Sequence, residues 1–123
     1  MRIISGKHKG EKLFSPKTTK IRPTSDRAKE VIFSTLNSIL IKKKKSFGDF
    51  IALDAFCGSG SLGIEALSRG VKKVYFIDNS KESTNLVKKN CQSIGFGNKA
   101  NIIKMNLLHC KPLKLKANLF FSK

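Results

Sequence analysis

The chain has 123 residues, a formal net charge of +17 and a hydrophobic fraction of 40%. This length allows one domain at most, and no apolar run approaches the roughly 18 residues of a membrane span, so we expect a soluble cytoplasmic protein with no membrane partner. The three cysteines, Cys57, Cys91 and Cys110, are widely spaced and form no Cys-x-x-Cys pair. This spacing argues against a metal site and against a disulfide.

The positive charge has two interpretations. It favours a polyanionic partner such as nucleic acid, because each Lys or Arg placed on a phosphate releases counterions. Only four of the 25 basic residues are arginines, however, and an AT-rich coding bias would produce the same excess of lysine without selection for binding. Composition alone leaves both interpretations open.

The first 41 residues predict a hairpin followed by a helix. Two short extended runs, 2–5 and 12–15, flank a glycine-bounded turn that carries Lys7 and Lys9, which indicates a β-hairpin with a basic tip. After a polar connection, apolar residues at spacings of three and four predict a helix over about 25–41, with Thr24 or Ser25 as its N-cap. The expected buried stripe consists of Ala28, Val31, Ile32, Leu36, Ile39 and Leu40, and the opposite face of Arg27, Lys29 and Glu30.

The stretch from Phe50 to Gly70 has the pattern of the first half of a nucleotide-binding βαβ unit. An apolar strand ends at Asp54, a turn contains Gly58, Gly60 and Gly63, and a short helix closes at Gly70. Such a turn lets the backbone approach a ligand closely. A bare glycine motif is nevertheless weak evidence, because small residues also recur in turns for steric reasons.

The remaining residues predict a parallel sheet. A second strand, 74–77, ends at Asp78, and Asn79 with Glu82 forms a possible capping box for a helix that reaches about Ile94. A third strand, 101–105, reaches Asn106, and a fourth apolar run covers 117–121. Strands that alternate with helices at this spacing indicate an α/β fold with parallel strands.

Polar side chains follow the first three predicted strands, and their spacing restricts which class of ligand the site can bind. Asp54, Asp78 and Asn106 are expected at one edge of the sheet, where parallel α/β sheets bind ligands. A carboxylate at Asp54, under the turn, would repel the pyrophosphate of NAD or FAD but suits a cationic ligand, which disfavours a nicotinamide-dependent oxidoreductase. Asp78 lies twenty residues after Gly58, where a carboxylate can accept hydrogen bonds from ribose hydroxyls. The two acids predict S-adenosylmethionine; the alternative is that they only cap helices.

The stretch Leu53 to Gly70 resembles the first motif of the bacterial 16S rRNA (guanine-N2)-methyltransferases, and the amino-terminal residues, among them Arg22-Pro23-Thr24-Ser25-Asp26-Arg27, resemble the same family's amino-terminal signature. The resemblance implies a Rossmann-like class I S-adenosylmethionine-dependent methyltransferase fold, here incomplete, with about four parallel strands preceded by a β-hairpin and a helix. The cofactor contacts that we expect are Asp54, Phe56, Cys57, Gly58, Gly60, Asp78, Asn79 and Asn106.

The resemblance also implies an RNA partner, either 16S rRNA in the small ribosomal subunit or an assembly intermediate of it. It makes residues 1–23 an RNA-facing extension and 24–123 the amino-terminal part of the methyltransferase domain. Candidate phosphate contacts are Arg2, Lys7, Lys9, Arg22 and Arg27. The alternative is a non-catalytic RNA-binding protein.

The last residues depart from the family pattern. Members continue past the fourth strand into Asp-Pro-Pro-Tyr or Asp-Pro-Pro-Phe, whereas Ser122-Lys123 stand at this point here. We therefore assign no catalytic residue and no metal ligand. We expect no methyl transfer by this chain alone and an uncovered Phe120 and Phe121. The pattern leaves three alternatives open: a disrupted gene product, a fragment, or half of a split enzyme that a second chain completes.

Overall fold

The structure, a computed structural model, describes residues 1–17, 21, 23–106 and 117–122. Helices and strands alternate after the amino-terminal segment, as the sequence predicts. The elements are α1 (Asp26–Lys42), a 3₁₀ helix (Phe47–Asp49), β1 (Ile51–Ala55), α2 (Ser61–Ser68), β2 (Lys73–Asp78), α3 (Lys81–Ser93), β3 (Ala100–Lys104) and β4 (Leu119–Ser122).

The four strands form one parallel sheet in the order β3-β2-β1-β4. The register pairs Leu53 of β1 with Tyr75 of β2 and with Phe120 of β4. Ala52 and Val74 in the two central strands are fully buried. The predicted α/β class with a parallel sheet is confirmed, and the carboxyl ends of β1, β2 and β3 lie at one edge.

The amino-terminal segment contains the expected hairpin in reduced form. Arg2 and Lys12 make a single antiparallel bridge, and the backbone N–H of Ile3 donates to the carbonyl of Glu11 at 3.0 Å. Ile3 and Leu13 are buried in the same hydrophobic cluster as the sheet. The hairpin therefore contributes to the core of the protein.

Helix α1 begins as predicted, and its buried face is shifted from the predicted one. Leu40 is buried and Ile32 and Leu36 pack against the core, as expected. The Ser25 hydroxyl accepts a hydrogen bond from the backbone N–H of Ala28 at 3.2 Å, so Ser25 is the N-cap. The prediction was wrong for Val31 and Ile39, which are exposed, and for Lys29, which is only 1% exposed. A count of apolar spacings misses Lys29 because its burial depends on a partner from another helix. The buried residues of α1 are Lys29, Phe33 and Leu40.

The packing of Phe33 shows that the expectation of an uncovered Phe121 in β4 was wrong. The ring of Phe33 lies 5.5 Å from that of Phe121 and 6.0 Å from that of Phe47, measured between ring centroids. Phe121 is therefore buried, against the expectation that it is uncovered, whereas Phe120 on the opposite face of β4 is 65% exposed.

Helix α3 starts one residue later than the proposed capping box requires. The hydroxyl of Ser80 accepts from the backbone N–H of Ser83 at 3.2 Å, so Ser80 is the N-cap and the assignment of Asn79 to this position was wrong. Asn90 and Cys91 face the core as predicted, and burial raises the pKa of the Cys91 thiol to about 12. Within the described ranges, none of the helices has the length and apolar character that a membrane crossing requires.

Candidate cofactor site

Three chain segments meet at the carboxyl edge of the sheet. The backbone N–H of Cys57 donates to the carbonyl of Ile77 at 3.0 Å, and that of Met105 donates to the carbonyl of Asp78 at 2.9 Å. The backbone N–H of Gly58 donates to Oδ2 of Asp78 at 2.9 Å. The turn after β1, the end of β2 and the residue before Asn106 are therefore joined directly.

Glycine is required at each of the three turn positions for its own structural reason. Gly58 and Gly60 adopt positive φ values of 56° and 76°, which an L side chain rarely adopts. A Cβ at Gly60 would also lie 2.6 Å from Cγ2 of Val87. A Cβ at Gly63 would overlap the ring of Phe76, so Gly63 permits α2 to pack closely on β2.

Phe56 is the strained residue of the turn. Its φ of 53° lies in the left-handed region, which costs a non-glycine residue about 1–2 kcal/mol. Its side chain is 39% exposed, at the edge where the three segments meet. Such strain is concentrated at ligand sites, where the surrounding structure holds the conformation in place.

Asp54 lies inside β1, which continues one residue further to Ala55. It is 1% exposed, and its Oδ2 accepts a hydrogen bond from the backbone N–H of Gly63 at 3.1 Å. Gly63 is in the first turn of α2, so the carboxylate lies at the positive end of that helix dipole. Asp54 therefore anchors α2 and places a negative charge beneath the turn.

Asp78 holds two backbone segments and remains accessible. Its Oδ2 accepts from Gly58, and its Oδ1 accepts from the backbone N–H of Ser80 at 2.8 Å. A carboxylate oxygen has two lone pairs, so each can accept a second hydrogen bond. Because Asp78 is half-buried at the edge, its remaining lone pairs could accept hydrogen bonds from a ligand.

The other expected contacts differ in accessibility. Asn79 is exposed beside Asp78, and Asn106 is half-buried immediately after Met105. Cys57 is buried in the core, and its backbone N–H and carbonyl bond to Ile77 and Gly60. No cluster of His, Cys, Asp and Glu that could hold a metal ion occurs among residues 1–17, 21, 23–106 and 117–122.

Sequence reasoning missed a buried ionic cluster at the other end of α2. Oε1 of Glu65 accepts from the backbone N–H of Ile4 at 2.9 Å, and its Oε2 accepts from that of Ser5 at 3.1 Å. Nε of Arg69 lies 2.9 Å from Oε2, and Nζ of Lys29 lies 3.7 Å from Oε1. Glu65 therefore fixes the hairpin to α2 and, through Lys29, to α1.

Lys29 makes one further bond in this cluster. Its Nζ donates to the backbone carbonyl of Arg2 at 2.6 Å. Burial lowers the pKa of Lys29, and the attraction of Glu65 opposes that effect. The available sequence signal was the i, i+4 spacing of Lys29 and Phe33, which places both on one helix face.

The candidate RNA contacts fall into three groups. Lys7, Lys9 and Arg27 are exposed. Arg2 is also exposed, but its Nε forms an ion pair with Oδ2 of Asp26 at 2.9 Å. Arg22 lies outside the described residues.

Comparison with known proteins identifies relatives along most of the chain. The family described as Conserved hypothetical protein 95 matches residues 1–120. Ribosomal RNA small subunit methyltransferase D of Haemophilus influenzae is 43% identical over 94 residues, which cover 76% of this chain and 45% of that protein. The protein of the same name from Escherichia coli K12 is 34% identical over 108 residues, which cover 88% of this chain and 50% of that protein.

A solved structure shares the fold. The putative methyltransferase yhhF from Escherichia coli matches with a TM-score of 0.71 and 32% identity, over 86% of this chain and 52% of that one. The chain spans about half the length of the curated relatives it matches. The α/β architecture is therefore that of Rossmann-like methyltransferases, and the chain belongs to the Conserved hypothetical protein 95 family, the family of ribosomal RNA small subunit methyltransferase D.

Proposed function

We propose that this chain forms the cofactor-binding half of an S-adenosylmethionine-dependent enzyme that methylates the exocyclic N2 of a guanine in 16S rRNA in the cytoplasm. The observation that carries the proposal is the junction of the glycine turn with Asp78, in a chain whose relatives are named as rRNA methyltransferases. Parallel α/β sheets bind nucleotides at this edge.

The chain's residues would bind and orient the cofactor. Asp78 would accept hydrogen bonds from the ribose hydroxyls with its remaining lone pairs, and by the family resemblance Asn106 would lie near the adenine. Asp54, beneath the turn, favours a cationic ligand over a pyrophosphate. S-adenosylmethionine, when bound, supplies a methyl group on a sulfonium centre. This half would therefore position the cofactor and select a cationic ligand by its electrostatics.

The basic surface would bind the RNA. Residues 1–23 would serve as the RNA-facing extension, and the exposed Lys7, Lys9 and Arg27 could contact phosphates without breaking an ion pair among the described residues. Arg2 would have to exchange Asp26 for a phosphate. The net charge of +17 supports a polyanionic substrate such as small-subunit rRNA.

Calorimetry with S-adenosylmethionine tests the cofactor assignment. We expect Asp78→Asn to weaken binding by about 10- to 100-fold, because hydrogen bonds to a charged acceptor contribute about 1.5–3 kcal/mol each. Asp49→Asn is the matched control, since Asp49 also accepts a backbone N–H, from Ser46 at 2.9 Å, but lies at the other end of β1. Equal affinity in both variants and the unmodified chain would refute the assignment.

The exposed lysines of the hairpin also fit a second function, a non-catalytic RNA-binding protein. That function predicts salt-sensitive RNA binding that is independent of cofactor. A filter-binding salt titration with and without S-adenosylmethionine separates the two functions, because only the enzyme is expected to bind both ligands.

A further inference from the structure

An exposed aromatic ring outside the candidate cofactor site is held by a buried amide. Asn90 is fully buried, and its Oδ1 accepts from the backbone N–H of Phe14 at 2.7 Å. Its Nδ2 donates to the carbonyl of Phe14 at 3.1 Å. The backbone of Phe14 is thereby fixed on α3, while the residue itself remains 47% exposed.

The Phe14 ring lies beside a groove of about 350 Å³ between residues 14–17 and α3. Nζ of Lys89 lies 3.9 Å from the ring centroid, which is a cation–π contact. Lys17 lines the same groove from the amino-terminal segment. The α3 side chains that line it are Glu82, Asn85, Leu86 and Lys89, which share one helix face.

This groove begins close to the candidate cofactor site. Glu82 is in the first turn of α3, and the N-cap of that helix, Ser80, donates its backbone N–H to Oδ1 of Asp78. The groove then follows α3 for about two turns, to Lys89. A polymer that lies in the groove would therefore pass the edge of the sheet where the methyl donor is proposed to bind.

We propose that the groove between Phe14 and α3 binds single-stranded RNA, with a nucleobase stacked on Phe14 and the adjoining phosphates on Lys17 and Lys89. An aromatic ring flanked by cations is the arrangement with which proteins hold single strands, since every base has a π-face and every linkage a charge. The side-chain amide of Asn85 can contact base edges. The choice of RNA as the occupant rests on the proposed function and on the chain's positive charge.

Fluorescence gives a direct test, because the chain contains no tryptophan. In Phe14→Trp, we expect a short single-stranded oligoribonucleotide to quench the indole emission by stacking. Inorganic polyphosphate, a polyanion without bases, should bind but quench much less. Ile41→Trp is the control, because Ile41 is 65% exposed on α1 and does not line the groove. Equal quenching by both polyanions, or equal quenching in both variants, would overturn the proposal.

Affinity measurements by fluorescence anisotropy add a second readout. We expect Phe14→Ala to weaken RNA binding about 5- to 30-fold, as removal of a stacking aromatic does elsewhere, and Ile41→Ala to leave it unchanged. Lys89→Gln should weaken it more than Lys99→Gln, although each removes one positive charge. Equal losses of RNA affinity for the two lysine variants, with no loss for Phe14→Ala, would indicate non-specific electrostatic attraction. That result would overturn the proposal that the groove binds RNA.

The outcome is separable from that of the proposed function. Phe14→Ala is expected to keep its affinity for S-adenosylmethionine, and circular dichroism verifies that the variant is folded. If the chain binds the cofactor but RNA does not quench Phe14→Trp, only the groove is rejected. If RNA quenches Phe14→Trp while the chain binds no cofactor, the groove stands and the cofactor assignment fails.

Discussion

Glu65 and Asp78 lie in different parts of the molecule, yet each is a carboxylate that accepts two backbone N–H groups. Glu65 is 1% exposed and also pairs with Arg69 and Lys29. Asp78 is half-buried, and no described Lys or Arg forms an ion pair with it. Two carboxylates with the same backbone role therefore differ in what they can still bind.

The difference separates a structural carboxylate from one suited to a ligand. The lone pairs of Glu65 are used by backbone groups and cations, so its charge is compensated inside the protein. Asp78 keeps lone pairs toward the edge of the sheet, where a ligand can complete its hydrogen bonding. Removal of the Glu65 charge should therefore mainly lower stability, whereas removal of the Asp78 charge should mainly weaken ligand binding.

The largest effect is expected for the buried charge. Glu65→Gln leaves Lys29 and Arg69 without a counter-ion and should lower the free energy of unfolding by about 3–5 kcal/mol. Asp78→Asn should cost only about 1–2 kcal/mol, because it loses one of two backbone hydrogen bonds at a half-exposed position. Urea unfolding followed by circular dichroism measures both.

Glu30→Gln on the exposed face of α1 is the control for the loss of one acidic charge, and should change stability by less than about 0.5 kcal/mol. A cost for Asp78→Asn as large as that for Glu65→Gln would remove the distinction between the two carboxylates.

The second effect concerns the contact between the hairpin and α2 that Glu65 holds. Gly6 has a φ of 91°, and a Cβ there would overlap the backbone carbonyl of Ser68. Gly10 has a similar φ of 86° but open space around it. We expect Gly10→Ala to cost about 1 kcal/mol from backbone strain alone and Gly6→Ala about 2 kcal/mol more, because backbone must shift. Thermal unfolding compares them, and equal costs would mean that the hairpin is not docked as described.

A third, smaller effect tests the beginning of α3 beside Asp78. Ser80→Ala should lower the free energy of unfolding by about 1 kcal/mol, because it removes the hydroxyl that caps the helix. Asn79→Ala should leave stability nearly unchanged, since Asn79 is exposed and is not the N-cap. Denaturant titration of both variants distinguishes the capping seen in the structure from the capping box expected from sequence. The reverse ranking would restore Asn79 as the cap.

The smallest effect is the pH dependence of the Glu65 cluster. Burial lowers the pKa of Lys29 below its ordinary 10.5, with Glu65 opposing. The folded chain then loses this proton at a lower pH than the unfolded chain, so the free energy of unfolding should rise with pH between the lowered pKa and 10.5. Relative to Lys29→Met, the unmodified chain should gain stability across this window. Urea unfolding at several pH values checks the sign, and parallel curves for the two proteins would contradict it.

Most of the fold could be predicted from local patterns. The alternation of apolar strands and helices indicated the parallel sheet, and the glycine turn after Phe50 marked the start of α2. The errors were local as well. The buried face of α1 was wrong at Lys29, and the cap of α3 was displaced from Ser80 to Asn79, because competing residues of similar capping propensity cannot be ranked without their hydrogen bonds.

The candidate site, like the fold, could be predicted from the sequence only in part. The positions of Asp54, Asp78 and Asn106 at or near the carboxyl ends of successive strands were sufficient to predict one common edge, since parallel strands bring their carboxyl ends together. The hydrogen bond from the backbone N–H of Gly58 to Asp78 and the backbone strain at Phe56 could not be predicted from the sequence, because they depend on how the turn packs against β2.

The sequence by itself determined the class of fold, the family motifs and the edge where a ligand would bind, because these follow from short-range periodicity and from the geometry of parallel strands. Only the tertiary structure decided which charges are compensated and which aromatic ring is held at the surface. Glu65 meets Ile4 across 61 positions, and Asn90 meets Phe14 across 76. Contacts between residues so far apart depend on the packing of whole elements, which no local pattern specifies.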